Sequence, residues 1–166
     1  MMVVLTLFIV CGVANLNLNR TSEPTACQMQ EFVRWVGEVR AKEGRHLIIG
    51  SDSYGNYTIW YYLEKILGLT ESEQTKAGIG FVRIFNGVTI YHLELPGDKG
   101  LFDDNTDYLL LKHRDRPGSY PRPLRLVRQF KNAELDLFAC EGERVPQKDA
   151  NPGFNGKIYP ARFYRE

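Results

Sequence analysis

Hydrophobic positions change their spacing along the chain, and each spacing predicts a different element. Residues 22–44 carry apolar side chains at helical intervals and end in Gly44, which predicts a first helix. A second, aromatic-rich helix is predicted over residues 56–67, with Gly68 as its stop. Between the two helices, residues 46–50 (HLIIG) indicate a short buried strand. Consecutive apolar residues are expected in a parallel strand whose two faces are both covered by helices.

Strand-like patterns follow the second helix. Residues 80–85 and 88–95 are separated by Asn86-Gly87, the strongest short-range signal for a β-hairpin. Residues 107–113 (DYLLLKH) predict another buried strand, and residues 124–140 predict a closing hairpin. The expected sheet is therefore mixed, with an antiparallel pair inserted after the first α/β crossover.

Other segments lack this periodicity. Residues 96–106 indicate a loop rich in Gly and Asp, and the tail of residues 141–166 is expected to be irregular. Residues 1–19 are strongly apolar and uncharged, which fits a signal peptide, the end of a membrane-spanning helix or a buried strand. We favour the membrane-related interpretations. Residues 20–140 are expected to form a three-layer α/β sandwich with a mixed central sheet and two N-terminal helices.

Composition and charge restrict the possible partners. The 166 residues are 43% apolar, which suffices for one folded domain. With 21 basic and 20 acidic side chains, the net charge is +1, and the chain lacks the positive field that holds nucleic acid. The three cysteines show no metal-binding spacing, and we expect no metal or other cofactor. Cys27 and Cys140 could form a disulfide outside the cytoplasm or remain separate thiols.

The turn after the first strand contains the residues expected of an enzyme. Ser51 and Ser53 are candidate nucleophiles, in a Gly-Ser-Asp-Ser order that resembles the Gly-Asp-Ser turn of GDSL-type serine hydrolases with one serine inserted. Such an enzyme also needs a histidine base oriented by a carboxylate, and His113 with Asp115 is the candidate pair. In the alternative interpretation, Asp52 or Ser53 caps the second helix.

Two other clusters could bind a ligand. Tyr57 and Trp60, on the second helix, could stack on sugars, although aromatic residues at helical spacing also pack in cores. Arg114, Arg116 and Arg122 belong to the densest basic segment of the chain. This segment could meet anionic lipid head groups or a lipid-linked diphosphate sugar, or it could be a solvated surface.

Several of these stretches also carry a family resemblance. They are FVRWV (32–36), LIIGSDSY (47–54) before WYYL (60–63), DYLLLK (107–112), and LRLVRQF (124–130) followed by AELDLF (133–138). Together they resemble the soluble C-terminal tail of multi-spanning membrane glycosyltransferases that use lipid-phosphate-linked sugars. The group includes mannosyltransferase-like and lipid A aminoarabinose transferase-like proteins. The resemblance covers most of residues 1–140 and is one of pattern, without an invariant motif.

The resemblance implies an accessory role rather than catalysis. The family's catalytic carboxylates lie in a loop after an early transmembrane helix, which has no counterpart here, and so no catalytic residue is carried over. The implied location is the non-cytoplasmic face of a membrane. The implied partners are the membrane part of a glycosyltransferase and a lipid-linked sugar or anionic lipid surface. Whether the chain is a fragment, a split partner or an independent domain stays open, and a small exported serine hydrolase is the alternative function.

Overall fold

The computed structural model describes residues 27–52, 56–72, 81–95, 99–112, 120–130, 135–144, 154 and 156–160. These residues form two helices and nine strands. Helix α1 covers residues 27–43, and helix α2 covers Asn56–Leu67. The strands are β1 Leu47–Ser51, β2 Val82–Phe85, β3 Val88–His92, β4 Glu94–Leu95, β5 Lys99–Asp103, β6 Tyr108–Lys112, β7 Leu124–Phe130, β8 Leu135–Cys140 and β9 Gly156–Pro160.

The strands form two sheets. Six of them make a mixed central sheet in the order β2-β3-β1-β6-β8-β7, in which β3, β1 and β6 are parallel. The β2-β3 and β7-β8 pairs are antiparallel hairpins at its two edges. Strands β4, β5 and β9 form a small second sheet. The predicted three-layer α/β class is confirmed, because the helices, the central sheet and the second sheet pack as successive layers.

The alternation of side chains along each strand divides the core between the two faces of the central sheet. Leu47 and Ile49 of β1 pack with apolar residues of both helices. Ile48, which points to the other face, packs in a second cluster with Leu101 and Phe102 of β5. The helix residues in the first cluster are Met29, Phe32, Val33, Val36, Ile59, Trp60 and Leu63. The expectation that helices cover both faces of β1 was therefore wrong.

The hand of the crossovers explains this arrangement. The chain moves along the sheet in one direction from β1 to β3, through the connection that holds α2. It then moves in the opposite direction from β3, past β1, to β6, through the connection that holds β4 and β5. Parallel crossovers are almost always right-handed, so two consecutive crossovers in opposite directions lie on opposite faces. The helices consequently cover one face and the small sheet covers the other.

Local signals in the sequence predicted most element boundaries correctly. Gly68 ends α2 with a φ of +62°, and its amide donates to the carbonyl of Glu64 at 3.1 Å, as in the αL motif of helix ends. The Asn86-Gly87 turn joins β2 to β3, with Phe85 paired to Val88. The closing hairpin is also confirmed, since β7 and β8 pair along their lengths with a bulge.

The second sheet corrects two predictions. Strand β5 lies in residues 96–106, which were expected to form a loop, and β9 lies in the tail of residues 141–166, which was expected to be irregular. The β5 sequence KGLFD lacks the alternation of a half-buried strand. It is extended because it pairs with β9 over five residues and packs Leu101 and Phe102 against the central sheet. Such nonlocal pairing overrides local propensity.

The structure bears on the predicted membrane segment only in part. Residues 1–19 lie outside the described residues. Neither helix formed by the described residues has the length and apolar composition that a bilayer-spanning helix needs.

Cys27 is exposed and Cys140 is partly buried, and both are free thiols in this structure. Burial raises the pKa of the Cys140 thiol to about 12.

Candidate functional site

The parallel strands β3, β1 and β6 have two ends, and polar residues gather at both. Ligands of open α/β sheets usually bind beyond the carboxyl ends of the strands. The predicted serine turn lies at this end, because Ser51 is the last residue of β1. Its register partner in β3 is His92, and the two residues therefore lie side by side.

Hydrogen bonds at the carboxyl end join all three parallel strands. Ser51 is completely buried, and its carbonyl accepts hydrogen bonds from the amide of Leu93 and from Nδ1 of His92, both at 2.9 Å. Asp52 is only 4% exposed. Both of its carboxylate oxygens lie 3.1 Å from the amide of Lys112, at the end of β6. The turn that resembles a nucleophile-bearing turn is thus a junction between strand ends.

His92 is a candidate that sequence reasoning missed. Because a carbonyl oxygen only accepts, the contact with Ser51 requires a proton on Nδ1 of His92. In the neutral ring, Nε2 is then an acceptor, which is the state a general base needs. The hairpin signal predicted that position 92 lies in a strand. It gave no information on the pairing of β3 with β1, which brings His92 to Ser51.

The structure describes only some of the remaining residues that were predicted to act in catalysis or in sugar binding. Ser53, His113 and Asp115 lie outside the described residues, as do Arg114 and Arg116. Tyr57 belongs to α2. Trp60 is 8% exposed and packs in the core, with the Arg83 guanidinium 4.8 Å from its ring centroid. An indole buried in this way contributes to packing and does not offer a free face for a sugar ring.

Of the three arginines predicted to bind a ligand, the structure describes Arg122, and its side chain binds the main chain. Its five N–H groups match five contacts to main-chain carbonyl oxygens. They are the carbonyls of Asp104 (3.0 Å), Thr106 (2.9 Å), Cys140 (3.0 Å), Glu141 (3.0 Å) and Gly142 (2.9 Å). Arg122 therefore connects the segment before β6 to the end of β8. This geometry indicates a structural role rather than the predicted contact with an anionic ligand.

The amino end of the parallel strands holds a cluster of ion pairs around Asp107. This carboxylate is 8% exposed, lies 2.7 Å from Nη1 of Arg45 and forms a second ion pair with Arg144. It also accepts the amide hydrogen of Ile48 at 2.8 Å, while its own amide donates to the Ile48 carbonyl at 2.8 Å. Asp107 thus connects the start of β6 to β1 through both main chain and side chain.

Cationic side chains surround His46 beside this cluster. Its Nε2 lies 2.8 Å from the hydroxyl of Thr89, and its carbonyl accepts a hydrogen bond from Arg144 at 3.2 Å. Burial, together with the positive charges of Arg144 and Arg40, lowers the pKa of His46, against the opposing effect of Asp107. The imidazole is therefore held in its neutral form more strongly than in a free chain.

A cavity of about 460 Å³ opens at this amino end. Arg40 lines it from the last turn of α1, Arg45 and His46 line it from the segment before β1, and Asn86-Gly87 lines it from the β2-β3 turn. Its volume lies within the range of small-molecule sites. Sequence reasoning did not find the cavity, because its lining comes from three segments that only the folded sheet brings together.

The chemistry available at the two ends differs. The carboxyl end holds a buried carboxylate and an imidazole acceptor, whereas the amino end offers guanidinium groups around an open space. Within the described residues, no three His, Cys, Asp or Glu side chains come together as a potential metal site. Comparison of the chain with protein-family models, curated proteins and solved structures gives no match. Function is therefore inferred from these residues and from the sequence resemblance.

Proposed function

We propose that this chain is an accessory, non-catalytic domain of a membrane glycosyltransferase that uses lipid-linked sugar donors, on the non-cytoplasmic face. The observation that supports it best is the use of Ser51 and Asp52. Both are buried and hold strand ends together, so the turn contributes to folding where a hydrolase would need an exposed nucleophile. The resemblance of the sequence to the tail domains of these transferases supplies the class of partner.

The basic segment provides the contact with lipid in this proposal. In the sequence, Arg114 and Arg116 come two and four positions after Lys112, and Lys112 is the last residue of β6, a strand whose carboxyl end belongs to the sheet edge where α/β sheets commonly bind ligands. Arg122 anchors the far side of the same segment to the sheet. The membrane part of the transferase and a lipid-linked sugar, or an anionic lipid surface, are the proposed partners.

Vesicle co-sedimentation of the full chain tests this contact. Each arginine near an anionic bilayer contributes about 1 kcal/mol, so an Arg114→Ala/Arg116→Ala variant should bind about thirtyfold more weakly at low salt. The difference should shrink as salt rises. A matched variant, Arg34→Ala/Lys42→Ala, removes the same charge from exposed positions of α1 and should bind like the wild type. Equal losses in both variants would contradict a membrane contact by the basic segment.

The same assay tests the class of lipid. Vesicles that contain a polyprenyl-phosphate-linked sugar are compared with vesicles of equal charge without it. The proposal expects stronger binding to the first set, since both a phosphate and a sugar are then presented. Identical binding to the two sets would leave only a general attraction to anionic lipid and would contradict a role in handling the donor.

A serine hydrolase is the second candidate, and His92 is the observation that favours it. With Nδ1 bound to the Ser51 carbonyl, Nε2 of His92 could accept a proton from a serine hydroxyl. Purified full chain is tested on short-chain esters together with Ser51→Ala, Ser53→Ala and His92→Gln variants. Turnover that depends on Ser53 and His92 would overturn the accessory, non-catalytic proposal. Equal, background turnover in all four proteins would eliminate the hydrolase.

A further inference from the structure

We propose that the cavity at the amino end of the parallel strands binds the phosphate group of a small phosphorylated molecule, with Arg40 as its main ligand. The proposal is independent of the glycosyltransferase role and of the serine turn. It rests on a guanidinium that has no counter-ion among the described residues, on the surplus of positive charge around it, and on the size of the adjacent space.

Arg40 differs from its neighbours in having no acidic partner. Arg45 is 2.5 Å from Glu43 and 2.7 Å from Asp107, and Arg144 is paired with Asp107 as well. Among the described residues, no carboxylate lies within ion-pair distance of Arg40, although its side chain is partly buried. A guanidinium carries five donors in a planar fork that matches two phosphate oxygens at once.

The Arg40 guanidinium lies close to the β2-β3 turn. Gly87 has a φ of +86°, and a side chain at this position would collide with the Arg40 guanidinium. The missing side chain of Gly87 therefore leaves room for the guanidinium beside the cavity.

The surrounding charges leave the cavity positive. The charged groups near the cavity are three guanidinium groups and two carboxylates: Arg40, Arg45 and Arg144, with Glu43 and Asp107. One positive charge is left over while His46 is neutral. The carbonyl end of α1 opposes an anion, because the last turn of a helix carries partial negative charge. Binding therefore depends on the arginines, and within the described part of the chain no carboxylate neutralises the charge of Arg40.

The size of the cavity indicates more than a free phosphate ion. A volume of about 460 Å³ is comparable to that of sites for small organic ligands. The lining also includes Asn86 and Gly87 of the β2-β3 turn, which bring an amide side chain and main-chain polar groups to the cavity. Such groups suit a polar, hydroxyl-bearing body, so we infer a phosphomonoester of a small polyol as the ligand class.

Isothermal titration of the full chain with glycerol 3-phosphate, inorganic phosphate and glycerol tests the site. The proposal expects saturable binding of the two phosphates, stronger for the ester, and none of glycerol. An Arg40→Gln variant should bind the phosphates at least about tenfold more weakly, since it loses a charged hydrogen-bond donor to the ligand. The control is Arg34→Gln, which removes the same charge from an exposed position on the same helix and should retain wild-type affinity.

A second variant and a second readout test the location. Ala41→Glu places a carboxylate on the cavity wall at an exposed helix position and should abolish binding, with the fold checked by circular dichroism. In NMR spectra, the imidazole of His46 should titrate at higher pH when glycerol 3-phosphate is bound, because an anion stabilises its charged form. Equal affinity in Arg40→Gln and Arg34→Gln, no saturable binding, or an unchanged His46 titration would each overturn the proposal.

Discussion

The two ends of the parallel strands β3, β1 and β6 each hold a buried carboxylate, Asp52 at one end and Asp107 at the other, and the contacts of the two differ. At the carboxyl end, the carboxylate of Asp52 accepts a main-chain amide of β6. At the amino end, Asp107 accepts one amide and is paired with two arginines as well. The first junction includes hydrogen bonds to a main-chain amide, whereas the second includes two ion pairs that bring cations to the edge of an open cavity.

This difference bears on where a ligand can bind. Polar groups that hold strand ends together in a buried junction have their donors and acceptors occupied by the fold, as at Ser51 and Asp52. At the amino end, the excess of arginines over carboxylates leaves Arg40 for an external anion. The usual preference for the carboxyl end of an α/β sheet therefore does not by itself identify the better site in this chain.

The largest effect is expected from Asp107→Asn at the amino end. The amide can still accept the Ile48 hydrogen, but it leaves Arg45 and Arg144 without their shared counter-charge in a partly buried place. Removal of one partner from such a cluster should lower the free energy of unfolding by about 3 kcal/mol, measured by urea denaturation.

Asp104→Asn is the matched control for this change. Asp104 lies three residues earlier and forms an ion pair with Lys157, whose side chain is 63% exposed. Solvent screens such a pair, so the expected loss is below about 1 kcal/mol. Similar losses at the two positions would mean that Asp107 does not depend on buried charge, and the contrast between the two ends would fail.

A smaller loss of stability is expected from substitution of Asp52 at the carboxyl end, and its size should depend on whether the new side chain can still accept a hydrogen bond. Asp52→Ala removes the acceptor of the partly buried Lys112 amide and should lower the free energy of unfolding by about 2 kcal/mol. Asp52→Asn keeps an acceptor oxygen at the same place and should cost less than half as much. If Asn is as damaging as Ala at this position, charge rather than hydrogen-bond geometry holds this end too.

How far the sequence predicted these features depends on whether the signal was local. The Asn86-Gly87 hairpin, the glycine stop of α2 and the buried run of β1 are encoded within a few residues, and all three were predicted. Strands β5 and β9 were missed because they become extended only by pairing across more than fifty residues.

The candidate site was harder to predict for the same reason. Asp107 was read as the start of a buried strand, and nothing beside it in the sequence shows that Arg45 and Arg144 converge on it. The contact of His92 with Ser51 likewise follows from the pairing of two strands separated by a helix and a hairpin. Spacing in a sequence does not reveal which side chains a parallel sheet brings to one end.

The smallest expected effect is a pH dependence of stability that His46 causes at the amino end. The folded protein lowers the pKa of His46, so above its unfolded value of about 6.5 the residue is neutral in both states and adds no pH dependence. As the pH falls below that value, the unfolded chain takes up the proton first, and stability decreases until the folded pKa is reached.

Urea midpoints of wild type and His46→Gln at about pH 7.5 and about pH 5 measure this loss of stability on acidification. The variant should lose less stability on acidification, since glutamine has no proton to gain. Parallel losses in the two proteins would show that the fold does not lower the pKa of His46, and would weaken the case for a positive cavity at the amino end.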